Sequence, residues 1–200
     1  MSSPYASLAI VSTVAAALSI VTGAVSAALW QERPPVAAKQ AGALKGLQPV
    51  PALDLTAYAA GVWYEHRRLD SWFERDLHFV TARYTLRDDG FVAVTNTGVR
   101  RGTGATVVSR GLARLTNLAS AYLLVSFFPL VEGDYVVLYL DATTSVVGSP
   151  DRKYLWLLTR SPAVTDAQVA RLATTALANG YTRAQLDAMI TVQQEQEQQQ

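Results

Sequence analysis

The sequence predicts an all-β protein: an eight-stranded antiparallel up-and-down β-barrel with one C-terminal α-helix packed outside it. Three observations point to this fold. Eight short stretches enriched in β-branched and aromatic residues follow one another between residues 62 and 160. Their connections are too short for the crossovers that parallel strands need, so the strands form a meander. A meander of eight strands can close on itself and remove its unpaired edges, and a single helical pattern follows the last strand.

Turn residues separate the predicted strands. Asp88, Asp89 and Gly90 form a hairpin turn, because glycine accepts the positive φ that such turns need. Another turn runs from Gly148 to Asp151. The strands are expected at residues 62–69, 77–86, 91–99, 105–114, 121–128, 134–141, 143–148 and 153–160.

One amphipathic helix follows the strands. Thr165 and Asp166 begin it, and Asn179 and Gly180 end it because both tolerate the left-handed conformation of a helix C-terminus. Its apolar residues recur with the spacing of a single helical face. We expect that face to pack against the outside of the barrel, and a last extended segment at about 186–192 to pair with an exposed strand.

The chain ends differ in composition from the domain at residues 54–192. Residues 6–30 carry no charge, and as a helix they would be about 37 Å long, enough for a bilayer core of about 30 Å. Residues 1–30 therefore form an N-terminal hydrophobic helix that is either a signal peptide or a membrane anchor. Residues 31–53 are a Pro/Ala-rich linker, and residues 193–200 are a Gln/Glu tail expected to be disordered.

Composition excludes several classes of function. Seventeen Lys and Arg against sixteen Asp and Glu leave a net charge of +1, which provides no general attraction to nucleic acid. The chain has no cysteine, so disulfides, thiolate metal sites and anchors on a lipidated cysteine are excluded. With only two histidines and no G-x-S-x-G, Walker or H-E-x-x-H motif, we expect no metal, no cofactor and no enzyme.

Strand direction brings two distant residues together. In a closed meander the start of the first strand and the end of the eighth are neighbours at the same end of the barrel. Trp63 opens the first strand and Arg160 ends the eighth, so a cation–π contact worth about 0.5–2 kcal/mol is expected between them. Gly61 permits close backbone approach there. The alternative is that Trp63 is an ordinary core residue and Arg160 a solvated surface charge.

The same residues carry a family pattern. Gly61-Val62-Trp63-Tyr64-Glu65 resembles the lipocalin G-x-W signature, and the segment from Tyr154 to Arg160 resembles the last conserved block, whose arginine stacks on that tryptophan. Four further segments are similar to the bacterial outer-membrane lipocalin and apolipoprotein D-like subgroup: Phe73–Arg75, Thr85–Gly90, Val125–Phe128 and Pro150–Trp156.

The resemblance covers about residues 54–192 and implies a barrel that is closed below and open above. It also implies binding of a small hydrophobic molecule, with fatty acids and lysophospholipids as the usual ligands of the subgroup. The chain departs from the bacterial members, which usually carry an N-terminal lipidated cysteine.

Side chains alternate along a strand, so Trp63 and Arg160 define which residues face the interior. A bulge in any strand would reverse its pattern. The structural signature is Gly61, Trp63 and Arg160. The candidate ligand-binding residues are Arg67, His78, Val80, Tyr84, Asn96, Val125, Phe127, Tyr135, Val137, Tyr139 and Trp156. Those expected near a head group at the open end are Arg67, His78, Asn96, Tyr135 and Tyr154.

The inward set is mostly apolar with a few polar tips, which favours an amphiphile as ligand. We therefore expect a protein that carries or stores a fatty acid or lysophospholipid. One alternative is a membrane-tethered interaction module that keeps residues 6–30; another is an enzyme in which Glu65 and His78 act as an acid–base pair on a lipophilic substrate. The expected location is secreted or periplasmic, or membrane-anchored through the N-terminal segment, with the oligomeric state left open.

Overall fold

The computed structural model describes residues 44–116, 121–128 and 131–192. Its elements are α1 (Leu55–Ala59), β1 (Val62–Arg68), β2 (Leu77–Leu86), β3 (Val92–Arg100), β4 (Thr106–Leu115), β5 (Tyr122–Phe128), β6 (Val131–Leu140), β7 (Thr144–Gly148), β8 (Leu155–Thr159), α2 (Asp166–Ala178), α3 (Arg183–Asp187) and β9 (Ile190–Thr191). Each strand from β1 to β8 pairs antiparallel with the next, and β1 also pairs with β8, which closes the barrel. The predicted eight-stranded barrel is confirmed.

The predicted helix is α2, which lies outside the barrel. Thr165 and Gln168 cap it reciprocally, since each side chain bonds the backbone N–H of the other residue. Leu172 and Ala176 are its buried residues, and they pack with outward-facing side chains of the barrel such as Val146. The predicted stripe therefore covers one side of the sheet.

The last segment is shorter as a strand than expected. Ile190 and Thr191 form β9 and pair with the end of β1, as the extended segment was expected to do. The preceding residues instead form the short helix α3, which a second capping box between Thr182 and Gln185 begins. Within the part of the chain that the structure describes, no helix is both long and apolar enough to cross a membrane. The hydrophobic segment at residues 6–30 and the tail at 193–200 lie outside the described residues.

The end of the predicted linker packs onto the barrel. Leu47 keeps only 4% of its surface exposed. The Val50 amide donates to the carbonyl of Val137 at 2.9 Å, and the Ala121 amide donates to the carbonyl of Val50 at 3.1 Å. Residues 44–53 are thus held by backbone hydrogen bonds and buried apolar side chains, unlike an extended linker.

A bulge in β1 reverses the predicted orientation of two arginines. The register of β1 against β8 shifts between Glu65 and Arg67. Beyond the shift, Arg67 lies opposite Leu157, which packs in the outer cluster under α2, while Arg68 lies opposite the inward-facing Trp156. Arg67 was predicted to face the interior, and this is wrong because one extra residue exchanges the two faces of the strand. Arg68 faces the interior instead.

Two more bulges move His78 and Tyr139 to the outer face. In β2 the register shifts between His78 and Thr81, and His78 lies opposite Val99, an outward position of β3. In β6 the shift places Tyr139 opposite the outward Val146. The Arg171 guanidinium of α2 lies 4.8 Å from the centre of the Tyr139 ring, as only an outward ring allows. The predicted inward orientation of His78 and Tyr139 is therefore wrong.

Candidate functional site: the barrel interior

The closed end of the barrel is fastened by the predicted cation–π contact. The Arg160 guanidinium carbon lies 3.6 Å from the centre of the Trp63 ring. The guanidinium also donates to the carbonyls of Ala57 and Tyr58 at 2.9 and 3.0 Å. The indole N–H of Trp63 donates to the same Tyr58 carbonyl at 2.9 Å, and Trp63 is only 1% exposed. Gly61 has a φ of 72°, a conformation in which glycine is not strained.

Three tyrosine hydroxyls meet inside the barrel. The hydroxyl oxygen of Tyr135 lies 2.7 Å from that of Tyr58 and 2.9 Å from that of Tyr84. The hydroxyl of Tyr58 lies 3.3 Å from that of Ser145. Burial raises the pKa of all three phenols, so they remain neutral hydrogen-bonding groups at physiological pH. We call Tyr58, Tyr84 and Tyr135 the tyrosine triad.

The interior differs below and above the tyrosine triad. Below it the space is filled: Val137 and Val147 have no exposed surface, and Leu123 and Leu158 are buried beside them. Towards the open end the inward side chains become half-buried, among them those of Val125, Phe127 and Trp156. Interiors packed to native density leave their side chains no accessible surface. The half-buried residues therefore line a hollow that opens at the mouth of the barrel.

Small residues make one wall of this hollow. Register places Gly98, Ser109, Gly111 and Gly133 on the inward face of β3, β4 and β6. Asn96 faces inward among them, and its amide oxygen is buried without a hydrogen-bond partner among the described residues. A buried unpaired acceptor is costly unless a ligand or water donates to it. Two of these glycines accommodate neighbouring side chains, since an added Cβ would lie 3.2 Å from Val80 at Gly98 and 2.8 Å from Phe127 at Gly111. The wall therefore offers one polar contact point, the Asn96 amide oxygen, among closely packed neighbours.

Aromatic rings make the opposite wall. Trp156 stacks on Tyr154 with ring centres 5.6 Å apart, and its ring centre lies 6.4 Å from that of Tyr135. Tyr154 contacts Phe73 of the β1–β2 loop at 5.6 Å, and Phe73 contacts Trp72. A continuous aromatic column thus leads from the tyrosine triad to the rim, where Trp72 is 72% exposed.

A buried ion cluster lies at the open end of β1. Arg68 is 1% exposed, and its guanidinium donates to Glu65 Oε1 at 2.7 Å. It also donates to the backbone carbonyls of Glu74 and Leu77 at 2.7 and 3.1 Å. Arg68 therefore connects β1 to the loop between β1 and β2 and to the start of β2.

The Glu74 side chain points from that loop into the barrel. Its carboxylate accepts from the Ser71 hydroxyl at 2.8 Å and from the Trp156 indole N–H at 3.2 Å. Burial raises the pKa of Glu74, and burial together with the Glu74 charge raises the pKa of Glu65 to about 8. We call Glu65, Arg68 and Glu74 the ion cluster.

Most of the predicted ligand-binding residues face the interior, although their role in binding stays a prediction. Tyr84 and Val137 lie at or below the level of the tyrosine triad. Those that border the hollow are Val80, Asn96, Val125, Phe127, Tyr135 and Trp156. Arg67, His78 and Tyr139 lie outside it, and the suggested acid–base pair of Glu65 and His78 does not form because the two residues face opposite sides of the sheet.

The sequence prediction placed Glu65 in the interior, in a suggested acid–base pair, but missed Arg68 and Glu74 of the ion cluster. Arg68 was not considered because the bulge in β1 was not foreseen, and Glu74 appeared only as part of a family segment in a loop. Ser109, Gly111 and Gly133 were also missed, because small residues give no hydrophobic signal. Only the unusual run of charges from Glu65 to Arg68 in a predicted strand could have indicated that one of them is buried.

A separate surface cavity of about 600 Å³ lies beside the mouth, outside the barrel. It is bordered by the β1–β2 loop, the turn between β7 and β8, and α3, with Trp72, Arg152 and Gln185 among its lining residues. This surface cavity shares only rim residues, such as Tyr154, with the hollow inside the barrel.

Comparison with known proteins agrees with this architecture. The family model described as "Lipocalin-like domain" matches residues 53–191. The chain is 41% identical over 127 residues to "Outer membrane lipoprotein Blc" of Vibrio cholerae, which covers 62% of this chain and 74% of that protein. It is 39% identical over 140 residues to the protein of the same name from Escherichia coli K12, covering 68% and 78%. Temperature-induced lipocalin-1 of Arabidopsis thaliana is 30% identical over 152 residues, covering 71% and 81%.

Solved structures share the fold at lower identity. Insecticyanin from the tobacco hornworm Manduca sexta superposes with a TM-score of 0.58 at 19% identity, covering 75% of this chain and 85% of that one. Lobster apocrustacyanin A1 superposes with a TM-score of 0.60 at 15% identity, covering 72% and 81%. At these identities the likeness concerns the fold alone.

Proposed function

The chain belongs to the lipocalin-like domain family, and on that premise we propose that it carries or stores a fatty acid or a lysophospholipid in the upper half of its barrel. Binding of a small hydrophobic ligand is the common property of the family and of its barrel. The observation that supports this proposal is the change in packing along the barrel axis. The interior is filled up to the tyrosine triad and half-open above it.

The hollow is suited to an amphiphile. Val80, Val125, Phe127 and Trp156 offer apolar contact to an acyl chain, and each buried methylene contributes about 0.8 kcal/mol. A chain that buries about eight methylenes thus gains about 6 kcal/mol before the cost of association. The acyl chain would end at the tyrosine triad, because the space below is occupied.

A lysophospholipid suits the polar contacts better than a free fatty acid. The unpaired amide oxygen of Asn96 accepts a hydrogen bond, which a glycerol hydroxyl supplies and a carboxylate does not. We therefore expect the lysophospholipid to bind more tightly when the acyl chains are matched.

Displacement of a fluorescent ligand tests the proposal. The full-length protein is loaded with dansyl-labelled undecanoic acid and titrated with palmitate and with palmitoyl lysophosphatidylcholine. Saturable displacement by both is expected, with the lysophospholipid more potent. Absence of saturable binding in a sample whose circular dichroism shows the β-fold would refute the carrier proposal.

A pair of tryptophan substitutions locates the site. Val125→Trp adds a large ring to the wall of the hollow and should weaken probe binding at least tenfold. Tyr139→Trp adds a similar ring on the outer face, under Arg171, and should leave binding unchanged. Equal effects of the two substitutions would place the ligand elsewhere.

For location we propose export, with residues 6–30 as either a cleaved signal or a retained anchor. Relatives at about 40% identity are named outer membrane lipoproteins, and this chain contains no cysteine to lipidate. Carbonate extraction of cells that express the full chain distinguishes the two forms. A shortened soluble chain indicates a signal peptide, whereas a full-length chain that stays with membranes indicates an anchor, and with it the tethered interaction module. A full-length chain in the cytosol would refute export.

A further inference from the structure

We propose that the upper seam between β1 and β2, with the loop Leu69–Asp76 folded into it, is a gate for the ligand, and that this gate opens as the pH rises. The inference rests on the proposed function, since it concerns how a ligand enters and leaves the hollow. It is carried by the seam itself, by its strained backbone and by the ion cluster that bridges it.

The seam lacks the backbone ladder found elsewhere in the barrel. β1 runs to Arg68, but its pairing with β2 extends only from Val62 to Tyr64. From Glu65 onwards the two strands separate, and both contain a bulge at this level. Strand pairing is the main cohesion between neighbours in a sheet. The upper end of this seam therefore has little backbone pairing to hold it closed.

The backbone beside the seam is strained. Phe79 in the β2 bulge has a φ of 49°, and Asp76 at the end of the loop has a φ of 68°. A positive φ is uncommon for any non-glycine residue and costly for a bulky one. Such a conformation persists because its surroundings hold it. Movement of the loop would allow Asp76, at its end, to relax, which lowers the cost of opening.

Side chains of the ion cluster close the seam where the ladder is missing. Arg68 on β1 donates to the carbonyls of Glu74 and Leu77 across the gap. The Glu74 carboxylate is held in turn by the indole N–H of Trp156 on β8. The loop that these bonds hold carries Trp72 and Phe73, which are exposed at the rim. Releasing Glu74 would free the loop and uncover the aromatic wall of the hollow.

The closed gate retains a proton. The groups facing the Glu65 carboxyl include Arg68 of its own strand, Glu74 of the loop and the neutral phenol of Tyr84 on β2. One guanidinium thus serves two buried carboxyls. Burial and the charge of Glu74 hold the pKa of Glu65 at about 8, whereas a solvated glutamate has a pKa of about 4.3.

The sign of the pH effect follows from this raised pKa. At neutral pH the closed state keeps the Glu65 proton and an open, solvated state loses it. Closure is therefore most favourable below about pH 4.3, becomes weaker as the pH rises, and no longer changes above about pH 8. Between these limits the opening constant rises by up to about tenfold per pH unit, the limit for one proton.

Ligand release at several pH values tests the gate. The full-length protein is loaded with a pyrene-labelled dodecanol, an uncharged probe, and mixed rapidly with phosphatidylcholine vesicles that trap the released probe. The release rate should rise by up to about tenfold per pH unit from pH 6 and level off above pH 8. Glu65→Gln keeps the shape of the side chain but removes the group whose pKa is about 8, so this variant should release the probe slowly and lose most of the rise between pH 6 and pH 8.

A matched substitution and a second measurement keep the outcomes separate. Glu132→Gln removes a carboxylate that pairs with Arg114 away from the seam and should keep the wild-type pH profile. If Glu65→Gln does not fold, hydrogen exchange of wild-type residues 69–79, corrected for intrinsic rates, should show weaker protection at pH 8.5 than at pH 6. Pyrene release that is independent of pH, or equal protection at both pH values, would overturn the gate while leaving the carrier proposal intact. Failure of every probe to bind would refute the carrier proposal instead.

Discussion

Replacing Arg160 by methionine tests the fastening of the closed end. Arg160→Met keeps most of the aliphatic stem but removes the guanidinium. The cation–π contact with Trp63, at 3.6 Å, contributes about 0.5–2 kcal/mol. The two hydrogen bonds to the carbonyls of Ala57 and Tyr58 contribute about 0.5–1.5 kcal/mol each, and water can reach part of this site after the substitution. The expected loss in the free energy of unfolding is therefore about 2–4 kcal/mol.

Urea unfolding followed by tryptophan fluorescence measures this loss. The matched control is Arg171→Met, which removes a guanidinium that lies 4.8 Å from the Tyr139 ring on the outer face. Because that contact is longer and at the surface, the control should lose about 0.5 kcal/mol. If Arg160→Met loses no more than the control, the closed end is held by apolar packing and the assigned role of Arg160 is incorrect.

Two further substitutions probe the packing around the barrel. A Cβ at Gly148 would lie 2.3 Å from the Tyr181 hydroxyl, so Gly148→Ala should lower the free energy of unfolding, measured in urea, by about 1–3 kcal/mol. The control is Gly102→Ala, which should change this free energy little because no atom lies within 4 Å of the added Cβ. Tyr135→Phe removes the hydroxyl that joins Tyr58 to Tyr84 in the tyrosine triad. The free energy of unfolding, measured by thermal unfolding, should fall by about 1–3 kcal/mol. A fall below about 0.5 kcal/mol would show that the triad is not cooperative.

Strand direction and side-chain period were enough to predict the barrel and its fastening. The meander requires the first and eighth strands to meet, so Trp63 and Arg160 could be brought together without knowledge of any other contact. The inward positions on β5 followed in the same way, since Leu123 and Val125 continue the alternation until the bulge at the open end. Such inferences succeed because they depend on topology and on a period of two residues.

The errors arise where the sequence contains no contrast between the two faces of a strand. Residues 67 and 68 are both arginine, so a shift of one residue leaves the pattern unchanged. In β6 the outer face is covered by α2 and is as apolar as the inner one, so the orientation of Tyr139 could not be inferred from hydrophobicity. The packing of residues 44–53 could not be predicted, because the prolines in this segment are typical of a linker. Prolines give no information on whether the leucines near them are buried.

One bulge accounts for both the largest error and the least expected feature of the interior. Without the extra residue in β1, Arg67 would face inward and Arg68 outward. With the bulge, the inward guanidinium is that of Arg68, one residue further along the strand. There it reaches the carbonyls of Glu74 and Leu77, which have no backbone partner on β1 because the pairing of β1 with β2 ends at Tyr64. The bulge thus replaces backbone pairing by ionic contacts at one seam. Backbone pairing does not respond to pH, whereas contacts that depend on Glu65 and Glu74 do. His66, Asp141 and Asp151 have lowered pKa values and titrate below about pH 6.5, so above that pH the response of the barrel should be centred on this seam.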